Sequence, residues 1–382
     1  MRRITSAGPS ITDAEILLVT EAIREGWQDR RNWHIDQFVE EFSEYVGRRY
    51  CLPTAHCTDA IHLAMITLGI GPGDEVVIPE LTWVASASPV LFVGATPVFA
   101  DVDPVTWCMT AESLERRITS RTKAVVVVDV LGNMPDWDRI LEVCRAHDIL
   151  VIEDAAEGLG ATYRGQPAGS FGEVSLFSFN ATKLVMAGQG GAFCTDDPEL
   201  YERARRLAHH GIDLESTGRY YWSTELGYNY EWTNLQAALA LAQLRRVDEL
   251  IDYKKWLFSA YEVGLDALDG VQLNDSGPEV VPTYWITTAI LDERYGLYKE
   301  DLCRRFAAYQ IDMRPLFYPL SSMPTFEQAV GGRAMKDENP VAYGLSDRGI
   351  CLPNGNNLDA DDVAYVTAAF LKILEGCNVR PG

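Results

Sequence analysis

A lysine standing in an otherwise neutral, apolar and hydroxyl-rich run is chemically conspicuous. Lys183 does so in Ser175-Leu176-Phe177-Ser178-Phe179-Asn180-Ala181-Thr182-Lys183-Leu184. Burial of an ammonium without a partner is costly, so desolvation favours the neutral, nucleophilic amine that Schiff-base chemistry requires. A second feature is Asp154 in Val151-Ile152-Glu153-Asp154-Ala155-Ala156-Glu157-Gly158-Leu159-Gly160. A carboxylate directly behind an apolar strand reads either as a buried acid that must meet a cation or as a helix N-cap. Thr54-Ala55-His56-Cys57-Thr58-Asp59-Ala60-Ile61-His62 reads as a strand, a turn and a helix starting near Thr58. Free N–H groups and a hydroxyl at such an end make a phosphate cradle, or an ordinary cap. Gly188-Gln189-Gly190-Gly191 lacks the spacing of a dinucleotide fingerprint, and no helix clearly follows it.

The elements around these segments belong to an α/β fold. Residues 74–79, 97–101, 124–129 and 149–153 are short apolar runs without polar alternation, as in strands buried on both faces. Helical patterns lie between them at 59–68 and 136–147, so a parallel sheet with helical crossovers is predicted. All three chemical segments then sit at carboxyl ends of strands, where open α/β sheets bind ligands. Further along, Leu235, Ala238, Leu239 and Ala242 form the stripe of a packed helix over 234–247, followed by a connector helix over 253–268. A strand over 283–291 and a last helix over 360–374 suggest a smaller C-terminal α+β domain. The division expected is 1–250, with an N-terminal arm, and 251–382.

Asp154-Ala155-Ala156-Glu157, Ser178-Phe179 with Lys183 five residues after the serine, and Gly188-x-Gly190-Gly191 resemble the DegT-type sugar aminotransferases. Residues 71–76, 94–98, Gly227-Tyr228-Asn229-Tyr230 and Arg314-Pro315-Leu316-Phe317-Tyr318-Pro319-Leu320 extend the likeness over roughly 8–376. The resemblance implies a pyridoxal-5′-phosphate (PLP) enzyme of fold type I, with a mostly parallel seven-stranded sheet in its large domain. Within the family the chain is most similar to perosamine-synthase-type enzymes, which aminate C4 of a nucleotide-linked 4-keto-6-deoxysugar. It further implies L-glutamate as donor and a homodimer with shared sites. Lys183 would hold PLP as a Schiff base and move the proton, and Asp154 would pair with the pyridine nitrogen. Ser178 and the Thr58–Asp59 amides would hold the phosphate, with Asn229 from a second subunit. Trp83 would stack on the ring, and Glu157 would sit near its phenolic oxygen. Substrate contacts are expected from Arg30, Arg31, Trp33 and His34, with Arg30 or Arg31 on the diphosphate, and from Arg314, Phe317 and Tyr318. Glu231-Trp232 after Asn229-Tyr230 departs from the family's usual Arg-Met, and residues 28–34 are richer in charge than the usual turn. Both departures bear on the choice of sugar, not on the cofactor.

Composition narrows the rest. Lys plus Arg is 33 against 55 for Asp plus Glu, a formal charge of −22 that repels phosphate backbones and anionic lipid. Neither nucleic acid nor membrane is expected as a partner, and no run approaches a membrane span. The start, Met1-Arg2-Arg3-Ile4-Thr5-Ser6, is too poor in apolar residues for a signal peptide. Eight cysteines, at 51, 57, 108, 144, 194, 303, 351 and 377, form no Cys-x-x-Cys pair and read as free thiols of the cytoplasm. No metal is expected: His209-His210 reads as a helix terminus, because adjacent helical residues point apart. Three alternatives stand beside the aminotransferase. A ketosugar dehydratase would carry histidine in place of Lys183, and a non-catalytic regulator would not need the full Asp154–Ser178–Lys183 set. An aminotransferase acting on a cyclitol ketone stays open.

Overall fold

The unalternating apolar runs become strands whose side chains are buried on both faces: Val76, Val77, Ile78 and residues 124–127 have no exposed surface. The computed structural model describes residues 3–332 and 335–376; Met1, Arg2 and Cys377 of the reading above lie outside them. Seven strands form the large sheet: β1 (Tyr50–Thr54), β2 (Glu75–Pro79), β3 (Thr96–Ala100), β4 (Thr122–Val128), β5 (Leu150–Asp154), β6 (Val174–Ser178) and β7 (Gly191–Thr195). Their order is 3-2-4-5-6-7-1. Strands 3, 2, 4, 5 and 6 run parallel, and β7 is antiparallel to both β6 and β1. The mostly parallel seven-stranded sheet is therefore present.

Helices cover both faces. On one lie α1 (Asp13–Glu25) and α2 (Trp33–Val46), and on the other α3 (Cys57–Thr67). The first face is completed by α4 (Trp137–His147), the second by α5 (Pro198–Ala208). Phe38, Phe42 and Val46 of α2 recur every four residues and pack on Phe177 and Phe179, each burial contributing about 1.5–3 kcal/mol. The helix expected over 234–247 ends earlier, as α6 (Asn234–Leu244), and α7 (Val247–Leu265) starts well before 253. Arg245 and Arg246 stand in the break, held by Glu41 and by Glu15 with Glu249.

The smaller sheet is antiparallel, with β8 (Val271–Leu273), β9 (Thr288–Leu291), β10 (Arg314–Pro315) and β11 (Gly349–Cys351) in the order 8-9-11-10. It packs on the second half of α7, on α8 (Lys299–Ala307) and, past α9 (Pro340–Arg348), on α10 (Ala360–Glu375), through Leu257, Tyr261, Phe306 and Phe370. Position 250 falls inside α7: Leu250 and Ile251 belong to the large core, Leu257 and Tyr261 to the small one. Ile4 also joins the small core, bridging Ile311. The strand expected from 283 starts only at Thr288. Thr283 donates to the Gly132 carbonyl and Tyr284 has φ 52°, so the chain turns there and sends Trp285 into the large core.

Candidate active site

The loop between β6 and β7 carries Lys183 and is closed by its own backbone. Phe179 donates to Gly190 O, Ala181 to Gly188 O and Ala187 to Phe179 O. Inside it, Asn180 Oδ1 accepts from the Thr182 amide at 3.2 Å and Lys183 N donates to Asn180 O at 2.9 Å, an Asx turn that fixes the lysine's backbone. Gly188 has φ 78° and Gly190 φ 151°, and a Cβ on Gly190 would strike the Trp232 ring at 2.9 Å. Those two glycines are structural requirements of the loop.

On the neighbouring strand of the sheet, β5 ends on Asp154, which is 3% exposed. Ser86 Oγ donates to its Oδ2 at 2.7 Å and the Ala156 amide to Oδ1 at 3.2 Å. Burial raises its pKa against those bonds, and no cation lies within ion-pair distance among the described residues. The following turn brings Glu157 to Lys183, with Nζ donating to Oε1 at 3.2 Å, while Oε2 accepts from the Leu131 amide at 2.8 Å. Leu131 adopts φ 56°, a conformation that costs a non-glycine residue about 1–3 kcal/mol, and in it presents that amide. Burial pushes the Glu157 carboxyl up, and Lys183 pulls it back. The lysine's surroundings are thus not neutral, as the local sequence implied: an acid 26 residues upstream faces it.

Ser178 ends β6 opposite Gly191, and a Cβ on Gly191 would come within 2.5 Å of the Cys57 amide nitrogen. The serine is thereby set beside the N-terminus of α3. Among the described residues the Cys57 and Thr58 amides have no carbonyl acceptor, whereas the Asp59 amide donates to His56 O at 3.2 Å. The Asp59 carboxylate also meets His56 Nδ1 at 3.0 Å.

A buried acid without an ion-pair partner, a lysine on the loop after the adjacent strand and an open helix N-terminus are the three anchors that PLP needs. The pyridine nitrogen suits Asp154, the aldehyde Lys183, and the phosphate Ser178 with the first turn of α3. The residues present fit the cofactor.

Other expected residues fall in different places. Trp83 opens the short turn that carries Ser86, is 57% exposed, and lies 6.4 Å from Phe317 across the mouth. Arg314 is exposed and lines a small cavity with Thr182, with no carboxylate partner among the described residues. Tyr318 turns to Glu300, its hydroxyl donating to Oε1 at 2.9 Å. Asn229 is exposed and bridges His209. His209 Nδ1 pairs with Glu231 at 2.7 Å.

At the N-terminal turn the expected residues differ in burial and in partners. Arg30 pairs with Glu21 and Glu25 and lies over Trp33, whereas Arg31 is exposed. His34 is buried, because it continues the 38-42-46 stripe that packs α2 on the core, and its ring nitrogens have no partner among the described residues. Three contributors went unread: Ser86, the Leu131 amide and Trp285, whose ring centroid lies 3.7 Å from Lys183 Nζ. Ser86 follows Trp83 in a turn and was legible; the other two depend on where distant segments cross.

Comparison with known proteins converges on one family. The model of the DegT/DnrJ/EryC1/StrS aminotransferase family matches residues 9–371. The chain is 38% identical to a GDP-perosamine synthase of Caulobacter vibrioides, over 97% of this chain and 98% of that protein. It is 35% identical to the GDP-perosamine synthase of Escherichia coli O157:H7, over 96% and 97%. Among solved structures it is similar to DesI in the presence of its TDP-sugar product, with TM-score 0.89, 28% identity, and 98% and 94% of the chains covered.

Proposed function

The chain belongs to the DegT/DnrJ/EryC1/StrS aminotransferase family, and from that premise we propose that it moves an amino group from L-glutamate to C4 of a GDP-linked 4-keto-6-deoxysugar. It is a PLP-dependent sugar aminotransferase by membership. The observation that carries the finer reading is the full-length identity to two GDP-perosamine synthases.

PLP supplies an electron sink for the carbon that bears the transferred nitrogen. The protein's own residues do the rest. Lys183 would hold the cofactor through its aldehyde, and its Nζ is the group that would take up and return the proton. Glu157, 3.2 Å from its Nζ, steadies the ammonium through that exchange. Asp154 keeps the ring nitrogen charged, and the Ser86 hydroxyl keeps Asp154 ionised. Ser178 with the Cys57 and Thr58 amides binds the phosphate, completed by Asn229 of a second subunit. Trp83 and Phe317 bound the mouth, and Arg31, Trp33 and Arg314 are exposed residues that would meet a large anionic substrate. We assign the enzyme to the cytoplasm, which the seven free cysteines among the described residues support.

The test is a panel of GDP-, dTDP- and UDP-linked 4-keto-6-deoxysugars, each with L-glutamate, read by mass spectrometry and by NMR of the product. Turnover of the GDP sugar with nitrogen on C4 is expected. Preference for another nucleotide, amination at C3, or use of a cyclitol ketone instead would replace the reading.

A further inference from the structure

Lys183 lies between two unlike neighbours. One is the Glu157 carboxylate. The other is the indole of Trp285, whose centroid is 3.7 Å from Nζ. Trp285 is 6% exposed and tied down at three points. Its Nε1 donates to Thr182 O at 2.9 Å, in the lysine's own loop. Its carbonyl accepts from the Asn354 side-chain amide. Its backbone nitrogen presses on Gly132, where a Cβ would come within 2.6 Å. The ring therefore cannot drift from the lysine, and a desolvated aromatic face attracts a compact cation strongly.

We propose that Trp285 is a positioning residue that sets the balance between the free and the cofactor-bound states of Lys183, by holding the free ammonium on its indole face. The inference rests on the reading of Lys183 as the cofactor lysine. When the ammonium condenses with the PLP aldehyde, two of its hydrogens leave with the aldehyde oxygen as water, and the compact cation is lost. When pyridoxamine phosphate is bound, the cofactor carries its own amine and Lys183 remains a free ammonium. The indole thus favours the amine form of the enzyme over the aldehyde form. It biases the protein toward the state that can donate nitrogen to a sugar ketone.

The readout is the ratio of dissociation constants for PLP and pyridoxamine phosphate, measured by equilibrium titration of cofactor-stripped protein. Trp285→Leu is expected to shift the ratio toward PLP by about tenfold, while Trp285→Phe keeps an aromatic face and most of the wild-type ratio. Ring fluorination weakens the face without changing its shape. Protein made with difluorotryptophan should therefore show a shift toward PLP that disappears in the Trp285→Phe background, and this decides the matter even if Trp285→Leu fails to fold. Equal weakening of both cofactors would mean that Trp285 only shapes the pocket. An unchanged ratio, or a fluorination shift that persists without Trp285, also overturns the proposal. Failure of borohydride to fix a pyridoxyl group on Lys183 of the wild type would instead sink the underlying reading.

Discussion

Lys183 and the two fully buried lysines of the C-terminal part solve burial in opposite ways. Lys183 meets a carboxylate and an aromatic face where strands of the large sheet end. Among the described residues Lys254 donates to the Asn354 carbonyl alone, and burial lowers its pKa to about 7. Lys299 donates to Leu316 O and Ser346 Oγ beneath the Tyr318 ring, and burial lowers its pKa to about 8. Depth alone makes a weakly basic amine without making a site. What marks Lys183 is its company: an acid able to hold its charge, a second acid at the end of the adjacent strand with no ion-pair partner among the described residues, and an opening to solvent. The other two lysines fasten backbone, Lys299 beneath the 314–318 segment and Lys254 beside Asn354.

Breaking this contrast should hurt most at Lys183 itself. Lys183→Ala is expected to lose at least about a thousandfold in kcat while still binding cofactor, whereas Lys254→Met keeps its turnover. Borohydride reduction and peptide mapping check the same point, and a pyridoxyl group found on Lys254 or Lys299 would erase the distinction. Asp154→Asn comes next. An amide cannot keep the ring nitrogen protonated, and breaking a buried charge pair costs about 3–5 kcal/mol, or roughly two to four orders of magnitude in rate. Steady-state kinetics close to wild type would assign that role to another acid.

Asn229 should matter less and through the partner. Losing one bond to a phosphate costs about 1.5–3 kcal/mol, so Asn229→Ala should weaken cofactor binding roughly ten- to a hundredfold. If the residue serves its partner's site, mixing that variant with Lys183→Ala subunits should restore activity, since each mixed dimer holds one intact site. Absence of recovery after demonstrated exchange of subunits would return Asn229 to its own chain.

The smallest effect concerns stability. Burial holds the Lys254 pKa at about 7 in the folded protein against 10.5 for the free side chain, so between those values the unfolded chain binds more protons. Stability should therefore rise with pH, with the burial penalty complete below pH 7 and fading toward 10.5, at a slope of up to about 1.4 kcal/mol per pH unit. Lys254→Met should flatten that slope in urea denaturation between pH 7 and 9 and be the more stable protein at pH 6. Identical slopes in both proteins would show that the lysine is solvated in solution.

Much of this molecule was legible before any coordinates. Unalternating valines and isoleucines announced β2, β4 and β5, because a strand buried on both faces has no polar side to show. The acid, serine and lysine stood at strand ends, where a parallel sheet offers its ligands free backbone groups, and their spacing carried the family. The four-residue period that includes His34 was equally present, and marked it as a core residue. What the sequence could not hold was the meeting of distant segments. Glu157 faces Lys183 because β5 and β6 are neighbours in the sheet, and Trp285 faces it because the chain turns at Tyr284 instead of extending. Arg30 reads as an available cation until Glu21 and Glu25 come round on α1 to claim it. Local patterns decide which elements form and which faces they bury. Only tertiary packing decides which charges meet, because Coulomb and cation–π energies depend on ångström separations between residues that are far apart along the chain.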